Sequence, residues 1–215
     1  MLPSPLAAPP RVSRWNGSAW LHGRTGDARA LAPGGLLGGS QAGARIGYRL
    51  SPGLQLSARL SSPLGRASGA EAAAGIEWQP VRRVPLRILA ERREKLGREG
   101  RDAFAVTLHG GVSEARLPAG LRIDAYAQAG AVGARSRDLF AEASIRAATP
   151  LAGGLRLGAG AWGAAQPGAA RLDVGPSATL RLPQLRASLS ADWRFRAAGT
   201  AHPGSRPALT LWTDF

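Results

Sequence analysis

Cysteine is absent from the 215 residues. This excludes disulfide frameworks, thiolate metal sites and cysteine nucleophiles, and it suits a chain that crosses an oxidising compartment without mispairing. Long apolar runs are missing as well. Hydrophobic residues make up 44% of the chain, yet they fall in short pieces, far from the roughly 18 consecutive residues of a membrane-spanning helix. Helical periodicity is nearly absent, and aromatics are scarce at 6%. Lysine occurs once, as Lys95, so arginine carries almost all of the formal charge of +14. The N-terminal MLPSPLAAPPRVSRW has neither a basic n-region nor a continuous apolar h-region, so no signal peptide is recognisable. Residues 1–10 read as a Pro-rich linker or N-terminal remnant, and 11–215 as a single domain.

What the chain does have is alternation with period two, the mark of strands whose two faces differ chemically. Strands are expected near 11–22, 41–50, 54–61, 70–79, 85–93, 102–110, 121–132, 138–148, 155–164, 172–182, 185–196 and 207–215, separated by Gly, Pro and Ser-rich turns. Connections alternate between short, as at Ser51-Pro52-Gly53 and Pro183-Gln184, and long, as at Thr25 to Ser40 and Ala197 to Arg206. That rhythm matches the short periplasmic turns and longer external loops of bacterial barrels. The link from Gly111 to Gly120 is long for a periplasmic turn. The fold class expected is all-β, an antiparallel up-and-down transmembrane β-barrel of about twelve strands in the bacterial outer membrane.

The two faces explain the charge. Leu121, Ile123, Ala125, Ala127 and Ala129 share one side of their strand, while Arg122, Asp124, Tyr126 and Gln128 share the other. Following this phase along the chain gives an inward ladder that includes Arg45, Arg59, Glu77, Arg87, Glu91, Arg122, Asp124, Glu142, Arg146, Arg186, Asp192 and Arg194. Arginine's planar fork suits cross-strand pairing with acids in a narrow lumen. Charge on the outward face would cost about 2–4 kcal/mol per mid-bilayer Arg or Lys. Outward aromatics sort by depth into two membrane-interface girdles, with Trp15, Tyr48, Trp78 and Phe215 at one end and Phe104, Trp193 and Phe195 at the other.

A basic total of this size raises nucleic acid as a partner. The arginines, however, are interleaved with acids and aliphatics, so no nucleic-acid surface is expected. The dense cluster from Leu89 to Arg101 reads as an external loop able to meet lipopolysaccharide phosphates through Arg92, Arg93, Lys95, Arg98 and Arg101. Anionic polysaccharide is a second candidate partner, for the lumen. His22, His109 and His202 lack metal-ligand spacing, so neither a metal nor a cofactor is expected. An enzymatic alternative would set His109 or His22 beside a serine for lipid chemistry, and a soluble β-sandwich binding module is the other alternative. Gly158, Gly160 and Gly163 read as a bend within a strand.

Two motifs carry a family resemblance. The last segment, PALTLWTDF, ends on Phe215 and looks like the C-terminal signal strand that the barrel-assembly machinery recognises in Gram-negative outer membranes. The stretch from Gly75 to Gly97, GIEWQPVRRVPLRILAERREKLG, resembles the C-terminal barrel domain of the phage-adsorption protein A family. The resemblance implies a non-enzymatic outer-membrane component, the export channel or anchor of a surface-polysaccharide secretion apparatus that phage use as a receptor. It carries over no catalytic residues. The periplasmic helical repeats of that family have no counterpart in this sequence.

Overall fold

The computed structural model describes residues 13–24, 39–64, 69–134, 138–200 and 204–215. Residues 1–10, expected as a Pro-rich linker or N-terminal remnant, and His202 lie outside them. Twelve strands run through the described residues: β1 (Trp15–Gly23), β2 (Gln41–Ser51), β3 (Leu54–Pro63), β4 (Glu71–Trp78), β5 (Leu86–Lys95), β6 (Ala103–Arg116), β7 (Arg122–Val132), β8 (Asp138–Pro150), β9 (Leu155–Gln166), β10 (Ala169–Leu182), β11 (Ala187–Gly199) and β12 (Arg206–Asp214). Each pairs antiparallel with its successor, and β12 returns to β1, closing the barrel. The seam runs from Ser18 opposite Asp214 to Gly23 opposite Leu209. Below it, Gly17 and Phe215 exchange both backbone hydrogen bonds at 2.8 and 2.9 Å. The expected up-and-down barrel is therefore the observed fold.

One end of the barrel, here the terminal end, carries both ends of the ring and the links at 52–53, 79–85, 117–121, 151–154 and 183–186. The other is the loop end. Strand limits differ from expectation where local geometry intervenes. β6 continues to Arg116 through a bulge between Val112 and Ala115, so the long link expected at Gly111 to Gly120 shrinks to a turn around Pro118–Gly120. The bulge holds Glu114 at φ 60, a left-handed conformation that is uncommon for a side chain of this kind. β10 begins at Ala169, which reduces the β9–β10 link at the loop end to Pro167 and Gly168. Arg186 corrects the expected ladder: it occupies a left-handed turn position at φ 48, between a 3₁₀ turn and β11, and is exposed at the terminal rim. Its turn geometry takes it out of the alternating phase.

The outward face is apolar, with Leu56, Leu60, Ile76, Val106, Leu108, Ile145, Leu157, Val174, Leu189 and Leu209 exposed along it. The inward face mixes charge with a smaller apolar set that alternation alone did not reveal. Leu89, Trp162 and the cluster of Ala105, Val132 and Phe140 are buried inside the ring. Two inward tryptophans depend on glycine seats. A Cβ at Gly43 would collide with the ring of Trp20, and one at Gly160 with the ring of Trp162, so each indole lies flat against bare backbone. The expected bend at Gly158 to Gly163 is thus in part a seat for Trp162, while Gly163 faces outward.

The β10–β11 ladder has a gap. Pairing jumps from Val174 opposite Phe195 to Ser177 opposite Asp192, skipping Gly175 and Pro176. Proline has no N–H to give to a ladder, and any side chain at 175 would strike the carbonyl of Trp193.

Replacing Gly160 by valine is expected to displace Trp162 and lower stability by about 1–3 kcal/mol, the cost of overpacking a filled interior. Urea unfolding of the refolded barrel, followed by tryptophan fluorescence, measures both effects.

Candidate functional site

The inward residues form two zones. Toward the terminal end is a polar vestibule of about 540 Å³, lined among others by Asn16, Arg45, Gln55, Arg87, His109, Tyr126, Arg146 and Trp212. A smaller recess of about 350 Å³, reaching Arg49 and Ser51, shares part of this lining. Its organising acid is Glu77. That carboxylate accepts Arg87 Nη1 at 2.6 Å, Gln55 Nε2 at 2.7 Å and His109 Nε2 at 3.1 Å, with Arg45 at 3.7 Å. A carboxylate so far out of water persists only with such partners. A second acidic group sits near the rim, where Asp124 accepts the Ser113 hydroxyl and the Glu114 N–H, each at 2.9 Å. Arg156 reaches both Asp124 and Glu114, and Arg181 also pairs with Glu114. The bulge thus turns Glu114 inward, joining β6 to β9 and β10.

Toward the loop end the lumen is filled. Glu91 binds Arg59 at 3.2 Å and Arg93 at 2.8 Å. Asp192 binds Arg146 at 2.8 Å and Arg194 at 3.3 Å, and accepts the Ser177 hydroxyl at 2.7 Å. Asp173 binds Arg171 at 2.9 Å and Arg24 at 3.1 Å. Gln128 donates to Glu142 at 3.1 Å. The Trp162 ring packs between the guanidinium groups of Arg146 at 5.3 Å and Arg194 at 4.6 Å, within cation–π reach. Trp162 and Arg194 are each 1% exposed. Arg146 belongs to both zones, lining the vestibule while binding the plug's Asp192.

The structure therefore places Arg45, Glu77 and Arg87 in the vestibule and Arg59, Glu91, Glu142, Asp192 and Arg194 in the plug, with Arg146 between them. Arg122 faces Arg116 in register near the terminal end. Arg24, Arg171 and Glu114 were missed. The first two continue the inward phase just beyond the expected strand limits, from His22 and Asp173, and Glu114 is reachable only through its bulge. The seven girdle aromatics face outward. Trp15 packs on Tyr48 at 4.8 Å and Trp193 on Phe195 at 6.2 Å, while Trp78 is exposed and Phe215 lies over Gly17.

Arg92 lies over Phe104 at 5.0 Å and pairs with Glu94 at 2.6 Å. Lys95 pairs with Asp102 and Arg101 with Asp138. Hydrogen bonds from the Lys95 backbone and side chain hold the Asp102 carboxyl below the usual carboxylate range. Arg93 points inward, so the basic cluster of the sequence is split between lumen and rim. His109 has Glu77 as its hydrogen-bond partner and the Tyr126 ring 6.3 Å away, and His22 bonds Thr210 at 3.0 Å. Among the described residues neither is hydrogen-bonded to a serine. Among the described residues no group of His, Asp and Glu could hold a metal ion.

No family model and no curated protein matches the chain. Among solved structures, an outer membrane channel from Pseudomonas putida F1 aligns over 100% of both chains at 16% identity, with a TM-score of 0.48. A mutant of the Rh. blastica porin aligns over 81% of this chain and 55% of its own at 14% identity, with a TM-score of 0.38.

Removal of one acid tests the plug. Glu91→Ala leaves Arg59 and Arg93 buried without their shared partner, and a loss of about 3–5 kcal/mol is expected in denaturant titration. The isosteric Glu91→Gln, which keeps the acceptor oxygen, should lose less.

Proposed function

We propose that this chain is a non-enzymatic barrel of the bacterial outer membrane, a narrow channel for small polar solutes whose lumen rests closed behind paired arginines. One observation carries the reading: between two aromatic rims the outside of the closed ring is aliphatic and charge is turned inside, with the outward Arg92 and Glu94 lying at the loop-end rim. A soluble barrel has no need of that inversion. In a bilayer the backbone must satisfy every hydrogen bond internally, and a ring without edges does so. Strands of 8 to 14 residues suit the ~9–11 needed to cross. The aromatic rims then meet lipid and lipopolysaccharide, and the Phe215 strand is what the assembly machinery reads.

The finer roles implied by the resemblance, surface-polysaccharide export and phage reception, enter this proposal in one form. The barrel serves such an apparatus as its membrane anchor rather than its conduit. An extended polymer threading the lumen would have to displace Trp162 together with the ion pairs of Asp192 and Glu91, whereas a small solute in the vestibule reaches the partly exposed Arg146. Anionic polysaccharide therefore belongs outside the lumen.

Two measurements test the proposal. Ile145 faces outward near mid-strand, and Ile145→Arg should destabilise the barrel in lipid vesicles by about 2–4 kcal/mol; an unchanged unfolding midpoint would count against membrane exposure of this face. In planar bilayers the wild type should conduct weakly, and the double variant Trp162→Ala, Asp192→Ala more strongly. Equal silence from both folded proteins would remove the channel reading.

A further inference from the structure

Several buried guanidinium and ring nitrogens of the plug lack a hydrogen-bond partner, as does one carboxylate oxygen there, Asp173 Oδ1. Arg194 spends Nη2 on Asp192, yet its Nε and Nη1 have no partner; Arg24 spends Nη1 on Asp173, yet its Nε and Nη2 have none. His22 contacts the Thr210 hydroxyl through Nδ1, and in the tautomer in which Nδ1 accepts, its Nε2–H is a further donor without a partner; the Trp20 indole N–H is also unmatched. All four side chains are more than nine-tenths buried. They also converge. His22 faces Thr210 of β12 in register, Thr210 faces Ser190 of β11, and Asp192 and Arg194 follow Ser190 on the same inward face, while Arg24 follows His22 on the inward face at the end of β1.

Buried cations without matching acceptors are costly, and guanidinium forks fit tetrahedral oxyanions with several bonds at once. We propose that Arg24, Arg194 and His22 form a binding site for a small oxyanion of the phosphate type, inside the loop-side half of the lumen. Arg146 is its antechamber. This guanidinium faces the vestibule and holds Asp192, so an anion drawn into the vestibule competes for it before reaching Arg194. As a binding site the cluster stands independently; as the selectivity step of a channel it rests on the functional reading above.

The test is calorimetric titration of the refolded full chain in detergent with inorganic phosphate at constant ionic strength. Saturable binding is expected in the wild type, and both Arg24→Gln and Arg194→Gln should weaken it at least about tenfold through loss of a charge-assisted donor. Arg116→Gln, a charge-matched change near the terminal end, should bind as the wild type does. The proposal is overturned if the wild type gives no saturable heat, if Arg116→Gln weakens binding equally, or if Arg87→Gln abolishes it while both plug variants retain it. Should a plug variant fail to fold, wild-type tryptophan fluorescence decides: a saturable change with phosphate and not with chloride supports the site, and a flat response overturns it. Conductance is measured separately, so a silent barrel that binds phosphate would sink the channel and leave the site.

Discussion

Closure of the hydrogen-bonded ring is the constraint on which everything else in this molecule depends. A sheet edge leaves a row of unpaired N–H and C=O groups, and here the edge vanishes where β1 meets β12 and where Gly17 and Phe215 bond to each other. Once the ring is closed, every strand has one face inside and one outside, and period two becomes a partition of chemistry. The partition accounts for a chain that is strongly basic by composition and uncharged over most of its outer wall.

Closure also creates the problem that the interior must solve. Twelve strands enclose a space narrow enough for side chains to meet across it, and the inward arginines exceed the acids. In the terminal half the excess is accommodated by leaving room, so that Arg87 and Arg45 share Glu77 beside a cavity. In the loop half it is accommodated by packing, with tryptophan faces and carboxylates each serving more than one guanidinium. The same residue type thus produces an open zone and a closed one within a single lumen.

The barrel and the phase of its strands could be read from the sequence because a slip of one residue would reverse every face, and the alternation in Leu121 to Ala129 or Leu189 to Arg196 is too regular to fit another register. What could not be read comes from exceptions to that period. The bulge at Ser113 and Glu114 brings an acid into the lumen, and the left-handed Arg186 removes an arginine from it. The inward tryptophans are hidden for a different reason. Period two assigns a side, while the space that lets an indole lie on the wall comes from Gly43 on the neighbouring strand and from Gly160 two residues away. The pairing of charges was also beyond reach, since Arg146 finds Asp192 across the lumen rather than along the sheet.

The skipped pairs at Gly175 and Pro176 acquire meaning from their place. They lie opposite Trp193 and Arg194, beside the ion pairs of Asp192. A cylinder of uniform stiffness would deform anywhere under load, whereas one with a missing rung yields first along that line. The wall therefore lacks two rungs beside the strand that carries Asp192 and Arg194, so a distortion of the cylinder along that line reaches the groups that block its bore.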